Sequence, residues 1–314
     1  MGVIAITGAR GFLGRATVAA ALARGHDVIA LSRGKGAPLP DQVADIPLDL
    51  ADPTAPLSDV LHSCDAVIHT AAAMSGDPIL WQRDTIKATS NLLTALSKLS
   101  PKPRLVLVSS IAVYDATATQ ITETTPLEPY PDARDGYTRS KLAQEALLAN
   151  YAGEVWIARP GAIYGPGRLW NAHIGLHLGP LLLRLGNRGE IPLAGIAPTA
   201  QALVTMAETA PEQSPRAVNL VDTDLPDRPR FLAALGPAAP RMTVPLSWRV
   251  LMPLARLAAR IPGLAPRLPG LLQPRTLAFR MAPKSFPAAR AQAELDWPST
   301  HFETALQTAQ EGPA

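Results

Sequence analysis

The run Val3-Ile4-Ala5-Ile6-Thr7-Gly8-Ala9-Arg10-Gly11-Phe12-Leu13-Gly14 decides how the chain is read, because an apolar stretch feeds directly into three glycines spaced three apart. Continuous apolar character over residues 3 to 6 suits a parallel strand covered on both faces. A helix is expected from Phe12, carrying Leu13, Ala16, Val18, Ala20 and Leu22, with Gly25 as its stop signal. In such a turn glycine lets the backbone approach a ligand, and the helix N-terminus offers free N–H groups to a diphosphate. Strand, turn and helix together read as a dinucleotide site with Gly8, Arg10, Gly11, Phe12, Leu13 and Gly14 against the cofactor.

A length of 314 residues allows one large or two modest domains with an ample core. The single cysteine, Cys64, leaves no intrachain disulfide framework and fits a reducing, cytoplasmic compartment. No charged segment precedes the first strand and no apolar run approaches ~18 residues, so neither a signal peptide nor a membrane span is expected. The net charge of +3 hides an asymmetry. Eight basic residues, from Arg241 to Lys284, fall in a stretch without Asp or Glu, and the remainder is mildly acidic. Prolines crowd the region from Pro226 to Pro298, which predicts short, broken helices there.

Asp27 to Ser32 reads as a second buried strand ending in Ser32-Arg33-Gly34-Lys35. In dinucleotide folds this strand end meets the adenosine ribose, where an acid grips both hydroxyls of NAD. No acid stands here. Ser32, Arg33 and Lys35, helped by Arg10, suit a 2′-phosphate, and one charge-assisted bond of roughly 1.5–3 kcal/mol favours NADP over NAD by roughly tenfold to a hundredfold. NAD is the alternative cofactor.

A short strand ending near Asp49-Leu50, a helix around 54 to 62, the strand Ala66 to His69, a long helix from Ile79 to Leu99, and the strand Arg104 to Val108 complete the alternation. That order predicts a doubly wound parallel sheet. Gly8, Ser32, His69 and Ser110 all fall at strand ends and should share one crevice.

Tyr137-Thr138-Arg139-Ser140-Lys141 opens a further helix, and a spacing of four puts Tyr137 and Lys141 on one face. Free tyrosine titrates near pH ~10, but a neighbouring ammonium and a positive nicotinamide both favour phenolate. Such a tyrosine exchanges a proton with a substrate hydroxyl while hydride moves to or from the cofactor.

Taken together, these residues resemble the extended short-chain dehydrogenase/reductase family, the epimerase/dehydratase group. The resemblance runs well from Val3 to Gly167 and weakly beyond. Its marks are Thr7 to Gly14, Asp49-Leu50, Val67 to Ala72, Val108 to Tyr114, Ile121 to Leu127, Tyr137 to Lys141 with Glu145, and Arg159 to Gly167. The resemblance implies Tyr137 as acid/base, Lys141 as its pKa-lowering partner and ribose ligand, and Ser110 as the hydroxyl orienting the substrate oxygen. It places Asp49 and Leu50 beside the adenine, Ala71, Ala72 and Ala73 along the nicotinamide ribose, and Pro160, Ala162 and Ile163 beside the nicotinamide. It implies a Rossmann domain over 1–165 with strand 217–221 returning to it, and a smaller, mainly helical substrate lobe from 166–205 and 225–314. Dimerisation through the helices after Ile79 and Tyr137 also rests on resemblance.

Departures narrow the chemistry. Sugar-nucleotide dehydratases of this family carry an acidic pair after the catalytic hydroxyl, where this chain has Ile111 and Ala112. A His-Val-Asp-Asp-like stretch is replaced by Ala197 to Leu203. His173 and His177, four apart, offer a metal two ligands on one helix, but Gly175 and Gly179 weaken it and no third ligand stands nearby, so no metal is expected. With Arg168, Trp170 and Asn171 they are expected to line the substrate pocket.

The basic stretch 241–285 suits an anionic membrane surface, a substrate diphosphate or a solvated face, and lacks the aromatic interleaving of nucleic-acid binding. The reading is an NADP-preferring oxidoreductase interconverting a small-molecule secondary alcohol and ketone. A nucleotide-sugar epimerase retaining NAD is the alternative, and a non-catalytic NADP-binding sensor or assembly protein the second.

Overall fold

The computed structural model describes residues 1–34, 36–74, 77–261 and 270–312. Lys35, expected beside the adenosine ribose, and Arg267 of the basic region lie outside the described residues.

Alternation along the first strand sets the architecture. In β1 (Val3–Thr7), Ile4 and Ile6 belong to one apolar layer and Ala5 to the other, so both faces are covered. β2 (Asp27–Ser32), β3 (Ala44–Pro47), β4 (Ala66–His69), β5 (Arg104–Val108), β6 (Val155–Pro160) and β11 (Arg216–Leu220) join it in a seven-stranded parallel sheet ordered β11-β6-β5-β4-β1-β2-β3. This is the doubly wound sheet the sequence predicts. The chain leaves β1 toward β2 and later returns on its other side at β4, and ligand crevices form where strand order reverses in this way.

Helices cover both faces. α1 (Phe12–Ala23), α6 (Ile196–Glu208) and α10 (Ala289–Leu295) lie on one side through Val18, Ala21, Leu203, Met206, Ala291 and Leu295. α2 (Leu57–Leu61) and α4 (Ala88–Ser97) lie on the other through Leu57, Leu61, Leu92 and Leu96. The single helix expected from Ile79 to Leu99 is instead α3 (Pro78–Trp81), a π-helical segment Gln82–Lys87, and α4. α5 (Gly136–Ala146) starts at Asp135, whose side chain accepts from Thr138 N at 2.8 Å.

The lobe is mainly helical, as expected, but differs from the sequence reading in two ways. First, it also carries strands. β8 (Gly175–Leu178) and β9 (Leu181–Leu185) form a hairpin, and β12 (Met242–Leu246) adds in parallel to β9. Pro245 is tolerated because β12 is an edge strand. β7 (Ala162–Tyr164) pairs with β10 (Leu193–Gly195) beneath it.

Second, residues 196–205, expected in the lobe, begin α6, whose alanine- and valine-rich face packs against α1. The helix at Ala289 to Trp297 likewise buries Leu295 and Trp297 in that sheet layer. α7 (Arg228–Ala234), α8 (Trp248–Ala259), α9 (Pro274–Met281) and α11 (Phe302–Glu311) complete the chain. Among the described residues no helix is long and apolar enough to cross a membrane.

Candidate active site

A cleft of about 920 Å³ opens at the carboxyl ends of the sheet strands. The β1–α1 turn forms its floor. Gly8 holds φ +65°, and a Cβ there would lie 2.9 Å from Ala71 Cα. At Gly14 a Cβ would lie 2.2 Å from Gly8 O, so this glycine lets α1 press onto the turn. α1 has no side-chain cap and no acid in its first turn, and the N–H groups of Phe12, Leu13 and Gly14 have no partner among the described residues. Unsatisfied donors, positive helix end and open cleft fit a dinucleotide diphosphate.

Of the cofactor residues expected from sequence, Gly8, Arg10, Gly11, Phe12, Leu13, Gly14, Ser32, Arg33, Asp49, Leu50, Ala71, Ala72, Tyr137, Lys141, Pro160, Ala162 and Ile163 all line this cleft. Ala73 does not; its N–H donates to Thr85 Oγ1 at 2.9 Å. Arg10 is less available than expected, because its guanidinium pairs with Asp45 and donates to the carbonyls of Gly36 and Ala37. Arg33 is freer, with its side chain 57% exposed and one bond to Asp84 at 3.1 Å. Asp49 pairs with Arg83, a residue that carried no signal in the sequence.

The chemical centre lies where β5 and α5 meet. Tyr137 is hydrogen-bonded to Ser110, whose Oγ also accepts from Ala112 N at 3.2 Å. Burial is the largest influence on Tyr137 and pushes its phenol up; Ser110, Arg280 and Arg168 act the other way. Lys141 does not reach the phenol as expected. Its Nζ donates to Val108 O at 2.7 Å and Gln144 Oε1 at 2.9 Å, and burial pulls the ammonium down to about 8 against the attraction of Glu145.

Behind Lys141 runs a buried chain of polar groups. Thr89 Oγ1 donates its only hydrogen to Thr85 O at 2.6 Å, so it accepts from both Gln144 Nε2 at 2.8 Å and His69 Nε2 at 2.9 Å. The His69 Nδ1 then accepts from Thr7 Oγ1 at 2.7 Å. Burial holds His69 neutral, at about 3, so the chain has one direction throughout. His69 is thus a buried structural residue rather than part of the crevice surface. Single side chains in the sequence gave no sign of this chain, because its members come from five separate elements.

Ser109, beside the catalytic candidate, is taken up differently. It donates to Glu145 Oε1 at 2.5 Å, and Glu145 pairs with Arg159 at 2.6 Å, both nearly enclosed. That leaves Ser110 as the hydroxyl that meets Tyr137.

The lobe supplies the far wall. Arg168, Trp170, Asn171, His173 and His177 reach the cleft, joined by Leu176, Leu271, Phe279 and Arg280. His173 lies in the loop before β8 and His177 on that strand, its ring tilted at 41° against Trp170 with centroids 4.9 Å apart, so they do not share a helix. Among the described residues no group of three His, Cys, Asp or Glu side chains could hold a metal ion. Arg280 pairs with Asp135 at 2.9 Å, and proximity to Tyr137 makes it the site residue sequence reasoning missed. Of the other basic residues in 241–285, Arg241, Arg249, Arg256 and Arg260 do not line the cleft.

Comparison with known proteins bears on the fold and the family. A curated relative from Stenotrophomonas maltophilia, named 2-alkyl-3-oxoalkanoate reductase, is 31% identical over 201 residues, covering 61% of this chain and 58% of that protein. The chain therefore spans little more than half of that relative's length. A hybrid PKS-NRPS synthetase from an Acremonium species is 33% identical over 190 residues, which is 52% of this chain but 4% of that protein. Among solved structures, UDP-glucuronic acid 4-epimerase from Bacillus cereus superposes with TM-score 0.71 at 18% identity, covering 98% of this chain and 97% of that one. The UDP-Glc/GlcNAc 4-epimerase from Campylobacter jejuni gives 0.73 at 15% identity, covering 98% of both chains. The family model for the NAD dependent epimerase/dehydratase family matches residues 4–195. With that match over more than half its length, the chain belongs to the NAD dependent epimerase/dehydratase family, the extended branch of the short-chain dehydrogenase/reductases.

Proposed function

We propose that the chain is an NADP-preferring oxidoreductase that interconverts a secondary alcohol and a ketone. The observation that carries this reading is Tyr137, which lines the cleft between the capless N-terminus of α1 and the apolar wall of the lobe and is hydrogen-bonded to Ser110 just behind that lining. Gly8 to Gly14 would hold the diphosphate, Ser32 and Arg33 the adenosine 2′-phosphate, and Lys141 the nicotinamide ribose. When bound, NADPH supplies the hydride.

The chain's own residues handle the proton. Ser110 orients the carbonyl oxygen, and Tyr137, kept protonated by burial, donates to that oxygen as the carbonyl carbon is reduced. In the reverse direction the phenolate takes the proton back. Leu176, Leu271 and Phe279 suit an apolar substrate body, while Arg168 and Arg280 suit an anionic end. The Stenotrophomonas relative's name supports a 3-oxo acid of this kind.

The test is NADPH consumption with 3-oxo acids of increasing chain length, using wild type and Tyr137→Phe. Wild-type turnover with NADPH, falling at least a hundredfold in the variant while NADPH affinity changes less than twofold, is expected. Purified protein releasing stoichiometric NAD on denaturation, with no net cofactor consumption and epimerised nucleotide sugar, would overturn the reading in favour of an epimerase.

A further inference from the structure

The helix α8 is apolar on two sides, and the fold uses only one of them. Its inner side sets Met252 and Ala255 against Leu185, Leu271, Leu277 and Met281. On the outer side Val250, Leu254, Leu257 and Ile261 are 59%, 63%, 60% and 48% exposed. Spacings of four and three align Val250, Leu254 and Leu257 in one stripe along the helix, and Ile261 follows just past its end. Scattered exposed apolar residues are normal, but six of the thirteen large ones among the described residues fall between Met242 and Ile261.

Charge tells what such a face would meet. Arg249, Arg256 and Arg260 are exposed, and at 3.6 residues per turn they line up about a quarter turn from the apolar stripe. No acid occurs anywhere in 241–285. Other cations of this stretch are committed: Arg275 to Asp115 and Glu128, Arg280 to Asp135, and Lys284 to the carbonyls of Ala116 and Ala118. By contrast Arg241, Arg249, Arg256 and Arg260 have no acidic partner among the described residues.

We propose that this face docks on an anionic lipid bilayer, with α8 lying in the interface, its apolar stripe among the acyl boundary and its arginines on the headgroups. A long side of apolar residues flanked by unpaired arginines is the composition of an interfacial helix, and twelve residues are too few to span. A second copy of the chain fits less well, because a two-fold contact on this face would set the unpaired arginines of one copy against those of the other. A polyanion such as nucleic acid would leave the apolar stripe without a role. Leu176 and Leu271, which pack beneath α8, also line the cleft, so a docked lobe brings that wall of the cleft toward the membrane. The docking itself does not depend on which reaction the cleft performs.

The test is flotation of the whole protein with vesicles of phosphatidylcholine alone and of phosphatidylcholine with an equal part of phosphatidylglycerol. Binding to the anionic vesicles only, falling at least tenfold in high salt, is expected. Each arginine at an anionic surface contributes roughly fivefold, so joint Arg249→Gln, Arg256→Gln and Arg260→Gln should lower partitioning roughly a hundredfold. Joint Val250→Ser, Leu254→Ser and Leu257→Ser should lower it at least tenfold with little change in circular dichroism and melting, since more than half of each of these residues is exposed. Failure to bind anionic vesicles, equal binding to both vesicle types, or binding indifferent to both sets of substitutions would overturn the proposal. A concentration-dependent dimer abolished by the serine substitutions, without vesicle binding, would overturn it too and assign the face to a second copy.

Discussion

Lys141 donates to Gln144 Oε1 at 2.9 Å, and that amide is held in one orientation because its Nε2 donates to Thr89. Gln144 is entirely buried, and the lysine's other bond goes to the Val108 carbonyl. Both bonds favour the charged form, against burial that pulls Lys141 to about 8. In Gln144→Leu one of the two is lost, so the ammonium should deprotonate lower still. A bond to a charged group is worth roughly 1.5–3 kcal/mol, or roughly one to two pH units. If Lys141 must be charged for turnover, the alkaline limb it sets is expected to move toward neutrality by about one unit in Gln144→Leu, while the acid limb stays. Turnover measured from pH 6 to 10 checks this; an unmoved limb means that Gln144 has no part in setting Lys141.

The glycines of the first turn should separate by the kind of damage each suffers. At Gly14 an added methyl meets the Gly8 carbonyl at 2.2 Å, and a rigid backbone cannot yield to it. At Gly11 the same methyl has one neighbour, Gly8 O at 3.1 Å, and otherwise open cleft. Gly14→Ala is therefore expected to lower stability by about 1–3 kcal/mol as α1 is pushed off the turn. Gly11→Ala should melt close to the wild type yet bind NADPH at least tenfold more weakly, because the space it fills is the ligand's. Thermal melting and cofactor fluorescence titration on both variants distinguish the two.

What was legible in the sequence is what local chemistry determines. The run Val3 to Gly14 had to be strand, turn and helix because few other structures satisfy four apolar residues followed by three spaced glycines, and the sheet followed from repeated alternation. The lobe was hidden for a physical reason. Its strands are short, and Pro245 argues against a strand unless one knows that β12 is an edge. Residues 196–205 read as lobe because their place against α1 depends on tertiary packing. Likewise Arg280 reaches Tyr137 from a helix more than a hundred residues away, a distance no motif spans.

The Arg159–Glu145 pair ties the end of β6 to α5, just behind Pro160 and Ser109 of the cleft. Its side chains are 7% and 5% exposed, and Arg159 also donates to the Tyr114 hydroxyl at 2.9 Å. Removing Arg159 leaves the buried Glu145 charge without its ion-pair partner, with the Ser109 hydroxyl and the Lys141 ammonium as its remaining polar support, so Arg159→Met should cost about 3–5 kcal/mol at neutral pH. Adding Glu145→Leu should recover much of that loss. Urea denaturation of the single and double variants reads the effect; equal loss in both would mean that packing, not the unpaired charge, is responsible.

Asp222 presents the opposite case, a native carboxylate whose removal should help. Its Oδ1 accepts from Gly195 N at 3.0 Å and its Oδ2 from the Tyr164 hydroxyl at 2.9 Å. Burial nevertheless pushes it up to about 6, outweighing both bonds. A folded-state value above the unfolded one means that the proton is bound more tightly when folded. The contribution to stability is therefore fully present below about pH 4 and is lost as pH rises through about 6. At pH 7.5 the ionised carboxylate costs roughly 2–3 kcal/mol. Asp222→Asn keeps an oxygen for Gly195 and offers an N–H to the Tyr164 oxygen, so it is expected to melt higher than wild type at pH 7.5. The advantage should shrink through pH 6 and vanish near pH 4, where the wild-type side chain carries its own proton. Melting curves at those three values decide it: an Asn variant less stable than wild type at pH 7.5 would mean that the Tyr164–Asp222 bond is worth more than the charge costs to bury.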